Sequence, residues 1–221
     1  MTEESQNTEF ESLEDALEAE VEEISEDEII ISDLLDTLQG YEGAEPGESK
    51  PFYQKAIAEK HGMTRDEMLD KAEKGEITYE QQLEWTAEMI EAGELDPRLI
   101  PGIETIINFY KMHGKRFAIY TADEQRGADL AVKPHIEAGL VRADEVYGIN
   151  PFGSKKKPET WVAAKQRYHP CYRVKAVYED TEANLDAALK AYKSDNPTGY
   201  LVKELDSGIS IVKTKVAHEI Q

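Results

Sequence analysis

Cysteine is nearly absent from this chain: of 221 residues only Cys171 carries a thiol. An intrachain disulfide and a cysteine-built metal centre are both excluded, and a reducing, cytoplasmic setting is expected. Cys171 follows Pro170 ahead of a strand and reads as a packing residue, not a nucleophile. Long apolar runs are missing too: no stretch approaches the roughly 20 residues of a membrane span. The N-terminus lacks the basic n-region and apolar h-region of a signal peptide. No Gly-rich dinucleotide fingerprint and no Walker-type phosphate loop occurs. The histidines, His61, His113, His135, His169 and His218, are scattered without ligand spacing.

Positive charge is missing from the whole N-terminal part. The first basic residue is Lys50, and residues 1–49 hold 18 of the 46 Asp and Glu, leaving only −3 of the net −21 to the rest. Nucleic-acid backbones and anionic membranes are repelled by such a segment, so neither is an expected partner. Within it Phe10, Leu13, Leu17, Val21 and Ile24 form one helical stripe. The other faces are almost wholly acidic, which weakens an isolated helix. The 9–25 segment therefore reads either as a solvated extension or as a docking helix for a basic partner or a second subunit.

What is present from residue 28 onward is an alternation of strands and helices. Strands are expected at 28–33, 116–120, 144–148, 174–178 and 199–203, with a hairpin partner at 209–213. Helical patterns at 103–113, 124–138, 158–168 and 182–193 separate most of them, with Gly114, Gly139 and Gly148 as stops. This predicts an α/β, Rossmann-like parallel sheet of about five strands with helices on both faces. About 80 residues separate the first two strands, far more than one crossover needs. Helices at 50–61, 64–74 and 77–92 fill that interval, with Thr64, Asp66 and Thr78 as cap candidates. The organisation expected is an acidic extension (1–27), a core (28–40 and 100–221) and an inserted helical module (41–99). An insertion at that point overhangs the carboxyl ends of the strands, where it can exclude water and shape a pocket.

The carboxyl ends of the strands carry the chemically useful residues, as open α/β sheets dictate. The apolar run Ile29-Ile30-Ile31 leads to Asp33, with Asp36 and Thr37 following. The second strand ends at Thr121. Lys155-Lys156-Lys157-Pro158 forms a cationic loop entering a helix. The fourth strand ends in Glu179-Asp180, followed by Thr181 and Asn184. Each feature alone is common; their joint order is not.

In that order the chain resembles the haloacid dehalogenase-like superfamily of hydrolases over about residues 28–203, with the helical insert similar to a C1-type cap. The family's Asp-x-Asp-x-Thr appears as Asp33-Leu34-Leu35-Asp36-Thr37, its strand-ending hydroxyl as Thr121, its lysine within 155–157, and its acidic pair as Glu179-Asp180. The resemblance implies a nucleophilic Asp33 that forms an aspartyl-phosphate with a small phosphorylated substrate. It implies Mg²⁺ held by Asp33, Asp180 and the carbonyl of Leu35, with Glu179 in or beside the ligand set. Thr37, Thr121, Ala122 and the lysine would contact the phosphoryl group. Aligning Pro158 and Trp161 with the family's Pro-x-x-Phe favours Lys155 as that lysine; a direct Lys-Pro match selects Lys157.

One departure matters. The family's phosphatases carry an aspartate two residues after the nucleophile as general acid and base, and here that position is Leu35. Losing such an acid costs about 10²–10⁴-fold in rate. Three accounts stay open: a phosphatase that uses Asp36 or its own substrate, a phosphonatase-like enzyme drawing a lysine from Lys55, Lys60, Lys71 or Lys74, or a scaffold that binds without catalysis.

Overall fold

The computed structural model describes residues 24–205 and 208–216. The helix expected at 9–25 therefore lies almost wholly outside the described residues.

The sheet forms around β1 (Glu28–Ser32), whose three isoleucines are fully buried. A continuous β-branched run suits a strand covered on both faces. Around it lie β4 (Arg116–Thr121), β5 (Val146–Gly148), β6 (Arg173–Glu179), β7 (Thr198–Leu205) and β8 (Gly208–Val216). The spatial order is β5-β4-β1-β6-β7-β8. All neighbours are parallel except β7 and β8, which form the expected hairpin with longer arms. The sheet thus has six strands, the hairpin partner supplying the sixth.

Two cores follow from the period-two alternation of strand side chains. Ile30, Phe117, Ile119 and Tyr178 face helices α4 (Ile103–Met112) and α5 (Gln125–Glu137), with Ile106, Ile107, Tyr110 and Val132 opposite them. Ile29, Ile31, Ala118, Tyr120 and Val177 face α6 (Pro158–Tyr168) and α7 (Glu182–Ala191), against Trp161, Leu185 and Leu189. The register between β1 and β6 slips by one residue, from Ile29↔Val174 to Ile30↔Ala176. That slip is why Val174 and Ala176, two apart, serve opposite cores. Each fully buried Ile or Leu contributes about 1.5–3 kcal/mol of transfer free energy, so the sheet holds its strand ends rigidly.

Helices α1 (Ser49–Lys60), α2 (Arg65–Glu73) and α3 (Tyr79–Glu91) occupy the long interval, as the sequence predicts. Capping boxes begin α2 (Thr64 with Glu67) and α3 (Thr78 with Gln81); Asp66 lies in the first turn of α2 and is not its cap. Their apolar faces close a separate core of Ile57, Met68, Ile77, Met89 and Leu95. The insert is joined to the sheet through an antiparallel ribbon of β2 (Gln39–Tyr41) and β3 (Pro97–Leu99). Strands of three residues carry too little periodicity to read from sequence, and Pro97 argues against one.

Cys171 is exposed in the loop before β6, so the packing role expected for it is corrected. Among the described residues no helix is long and apolar enough to cross a membrane.

Candidate active site

Asp33 is the first residue past β1, and its N–H donates to the carbonyl of Tyr178 at 2.9 Å. That bond sets Asp33 beside the end of β6, where Glu179 and Asp180 follow. Asp33, Glu179 and Asp180 each place a carboxylate oxygen within 4.8 Å of one another. Thr121 ends β4, which pairs with the other edge of β1, and is buried. Three adjacent parallel strands thus deliver the polar residues that the sequence places at their ends.

Lys155 comes from the loop before α6 and is 4% exposed. Its Nζ lies 2.8 Å from Asp33 Oδ1 and also pairs with Glu179. Trp161 explains how a loop lysine is held so firmly. Its indole N–H donates to the Lys155 carbonyl at 2.6 Å, and its ring lies 5.0 Å from the ammonium. An ammonium over an indole face gains cation–π attraction. Lys157 is exposed at the start of α6 and does not join the group.

The electrostatics follow from burial. Removal from water opposes the Lys155 ammonium, yet Asp33 and Glu179 outweigh it and hold its pKa above the usual lysine value. Burial pushes Glu179 well above the carboxylate range, with Lys155 working against that rise. Burial and then the neighbouring Asp33 raise Asp180 as well. Asn184 and the Thr181 N–H both reach Glu179 Oε2 at 3.4 Å, and the Thr181 hydroxyl donates to Asp180 at 3.1 Å. The acidic pair is therefore oriented from the start of α7.

Three carboxyl groups converge with one ammonium in a buried space. Such an all-oxygen donor set fits a hard divalent cation; opposed donors on Mg²⁺ stand ~4.2 Å apart. Asp33, Glu179 and Asp180 are the side chains that could hold it.

The other expected residues are placed less uniformly. The backbone turns at Asp36, which adopts φ +59°, a left-handed value that aspartate tolerates better than most residues. Its Oδ1 accepts the Ser49 N–H at 3.1 Å, tying the carboxylate to the first turn of α1 and apart from the converging carboxylates. Burial raises its pKa, partly offset by Ser49. Thr37 is buried, and its hydroxyl has no hydrogen-bond partner among the described residues. Ala122 is exposed at the end of β4. Leu35 is half-buried and lines a cleft of about 60 Å³.

Asp123, across that cleft, was not singled out by the sequence. It accepts a hydrogen bond from the Tyr79 hydroxyl at 3.2 Å, bridging core and insert. Its place two residues past Thr121 is a usable signal, but an acid before a helix also reads as an ordinary cap.

No family model and no curated protein matches the chain. Solved structures do. A HAD hydrolase of family IA, variant 3, from Entamoeba histolytica superposes with a TM-score of 0.52 at 17% identity, covering 78% of this chain and 82% of that one. A putative beta-phosphoglucomutase from Thermotoga maritima gives 0.46 at 20% identity, covering 76% and 81%. The chain has the haloacid dehalogenase-like fold.

Proposed function

We propose that this protein is a Mg²⁺-dependent hydrolase of small phosphate monoesters, with Asp33 as the nucleophile. The observation that carries the reading is the buried Lys155 ammonium, set between Asp33 and Glu179 in a group of converging carboxylates. A lysine buried to this degree and paired twice is expensive to build for stability alone. Perturbed, buried ionisable groups at strand ends mark functional sites.

In this reading an Asp33 oxygen attacks phosphorus and the ester oxygen leaves. Water then cleaves the aspartyl-phosphate and restores the carboxylate. Lys155 and the Thr121 hydroxyl hold the phosphoryl oxygens as charge redistributes. Asp33, Asp180, Glu179 and the Leu35 carbonyl would hold Mg²⁺, which supplies charge neutralisation on those oxygens. The helical insert acts as a cap over the strand ends, and its narrow cleft suits a small leaving group. The phosphonatase-like alternative finds no support among its four lysines. All are exposed; Lys55 pairs with Glu59, Lys60 with Glu94 and Lys74 with Asp70.

The test is release of p-nitrophenol from p-nitrophenyl phosphate with and without Mg²⁺, by the wild type and by Asp33→Asn. Metal-dependent turnover that disappears in the variant supports the reading. Absence of turnover on any phosphate ester favours the binding scaffold instead.

A further inference from the structure

Leu35 removes the acid from the wall of the cleft where the resemblance expects one, so a phosphatase here needs a proton from elsewhere. Asp36 is tied to Ser49. The same cleft has another carboxyl: its walls include Leu34, Leu35, Tyr41, Tyr53, Thr121 and Asp123. Asp123 is thus the acid that faces the space Leu35 leaves apolar.

Its surroundings are built rather than incidental. The Tyr79 hydroxyl accepts the Glu124 N–H at 3.3 Å, so its own proton is directed to Asp123 Oδ1 at 3.2 Å. Oδ1 thereby accepts the Tyr79 proton, and the Thr121 hydroxyl also bonds the carboxyl. Gly127 makes this contact possible: a Cβ there would stand 2.6 Å from the Tyr79 hydroxyl and 3.3 Å from Asp123 Cβ. Gly148 allows the Asp123 loop to lie directly on β5, since a Cβ there would meet the Asp123 carbonyl oxygen at 2.7 Å. The carboxyl is thus held by groups from both the core and the insert.

We propose that Asp123 is the general acid and base of this site, replacing the aspartate that Leu35 displaces. The proposal rests on the phosphatase reading above. In the first step an Asp33 oxygen bonds to phosphorus, the phosphorus–ester oxygen bond breaks, and that oxygen takes the Asp123 proton and leaves as the alcohol. In the second, the Asp123 carboxylate takes a proton from water as its oxygen bonds to phosphorus. The phosphorus–Asp33 bond breaks, and phosphate departs. Both residues end as they began. Burial, helped by Asp33, favours the protonated form of Asp123 over the opposing pull of the Tyr79 hydroxyl, the Lys50 ammonium and the Thr121 hydroxyl.

Leaving-group dependence tests this, because p-nitrophenolate departs without a proton and an alkoxide does not. In Asp123→Asn, kcat/KM for an alkyl phosphate should fall about 10²–10⁴-fold. For p-nitrophenyl phosphate it should stay within about tenfold, which also shows that the variant is folded. Its turnover should begin with a burst of p-nitrophenol, because the phosphoenzyme now lacks its base. Adding Leu35→Asp to Asp123→Asn should restore the alkyl ester. Equal losses on both esters, or none on the alkyl ester, overturn the assignment. So does a wild type that cleaves only the aryl ester. A wild type that cleaves neither ester fails at the earlier step, as a non-phosphatase, and the assignment falls with it.

Discussion

Replacing Lys155 by methionine removes the ammonium that touches both Asp33 and Glu179 while keeping most of the side chain's length and packing. The side chains of Lys155 and Glu179 are 3% and 0% exposed and that of Asp33 is 11% exposed, so water does not compensate. Breaking a buried pair by deleting one partner costs about 3–5 kcal/mol. That is a large part of the ~5–15 kcal/mol that holds a domain together. The loss should depend on pH in a definite sense. Glu179 already has a folded-state pKa raised above its unfolded value by burial, and Lys155 opposes that rise. Without Lys155 the rise is larger. A raised carboxyl binds more protons folded than unfolded. Its contribution is intact below the unfolded pKa and is lost as pH climbs through the folded one. Urea unfolding in the presence of a chelator should therefore show the Lys155→Met deficit small near about pH 5 and larger at about pH 8. Added Mg²⁺ should recover part of it, since a ligand of the native state stabilises by mass action. A deficit below about 1 kcal/mol at about pH 8, or one that grows as pH falls, would refute the reasoning.

Two further predictions concern the frame. Burial, with Arg116 nearby, lowers the His169 pKa to about 4, and its Nδ1 is 2.8 Å from the Tyr120 hydroxyl. The unfolded chain then takes up its proton first, so stability is lost as pH falls from about 6.5 towards 4. An NMR titration of the His169 ring near 6.5 would contradict this. Gly148→Ala would place a Cβ 2.3 Å from the Glu124 carbonyl carbon. It should cost at least the ~1–3 kcal/mol of overpacking in a thermal melt, and an unchanged Tm would show that the loop is not pressed on β5.

The sheet and its strand ends were legible because their physics is local. Ile29-Ile30-Ile31 is a buried run that ends at the crevice, and the seven described helices start and stop within about two residues of their punctuation. The alignment through Pro158 and Trp161 favours Lys155 over Lys157, and in the fold the Trp161 indole N–H donates to the Lys155 carbonyl. The parts that escaped depend on contacts far apart in sequence. The β2–β3 ribbon has three-residue strands that mean nothing until paired. The sequence offers Asp36 as a substitute acid, but its left-handed turn and its bond to Ser49, 13 residues on, are not written in local pattern. Asp123 becomes conspicuous only when Tyr79, 44 residues earlier, comes to rest on it.

The most direct measurement is to find which carboxyl carries the phosphoryl group during turnover. The protein is mixed with p-nitrophenyl phosphate and Mg²⁺, quenched in acid and mapped by peptide mass spectrometry. The account predicts a phosphoryl adduct on the peptide containing Asp33, localised to that residue and absent when Mg²⁺ is chelated. Phosphate release with an adduct on another residue, or with none in either the wild type or the slower Asp123→Asn protein, would contradict it.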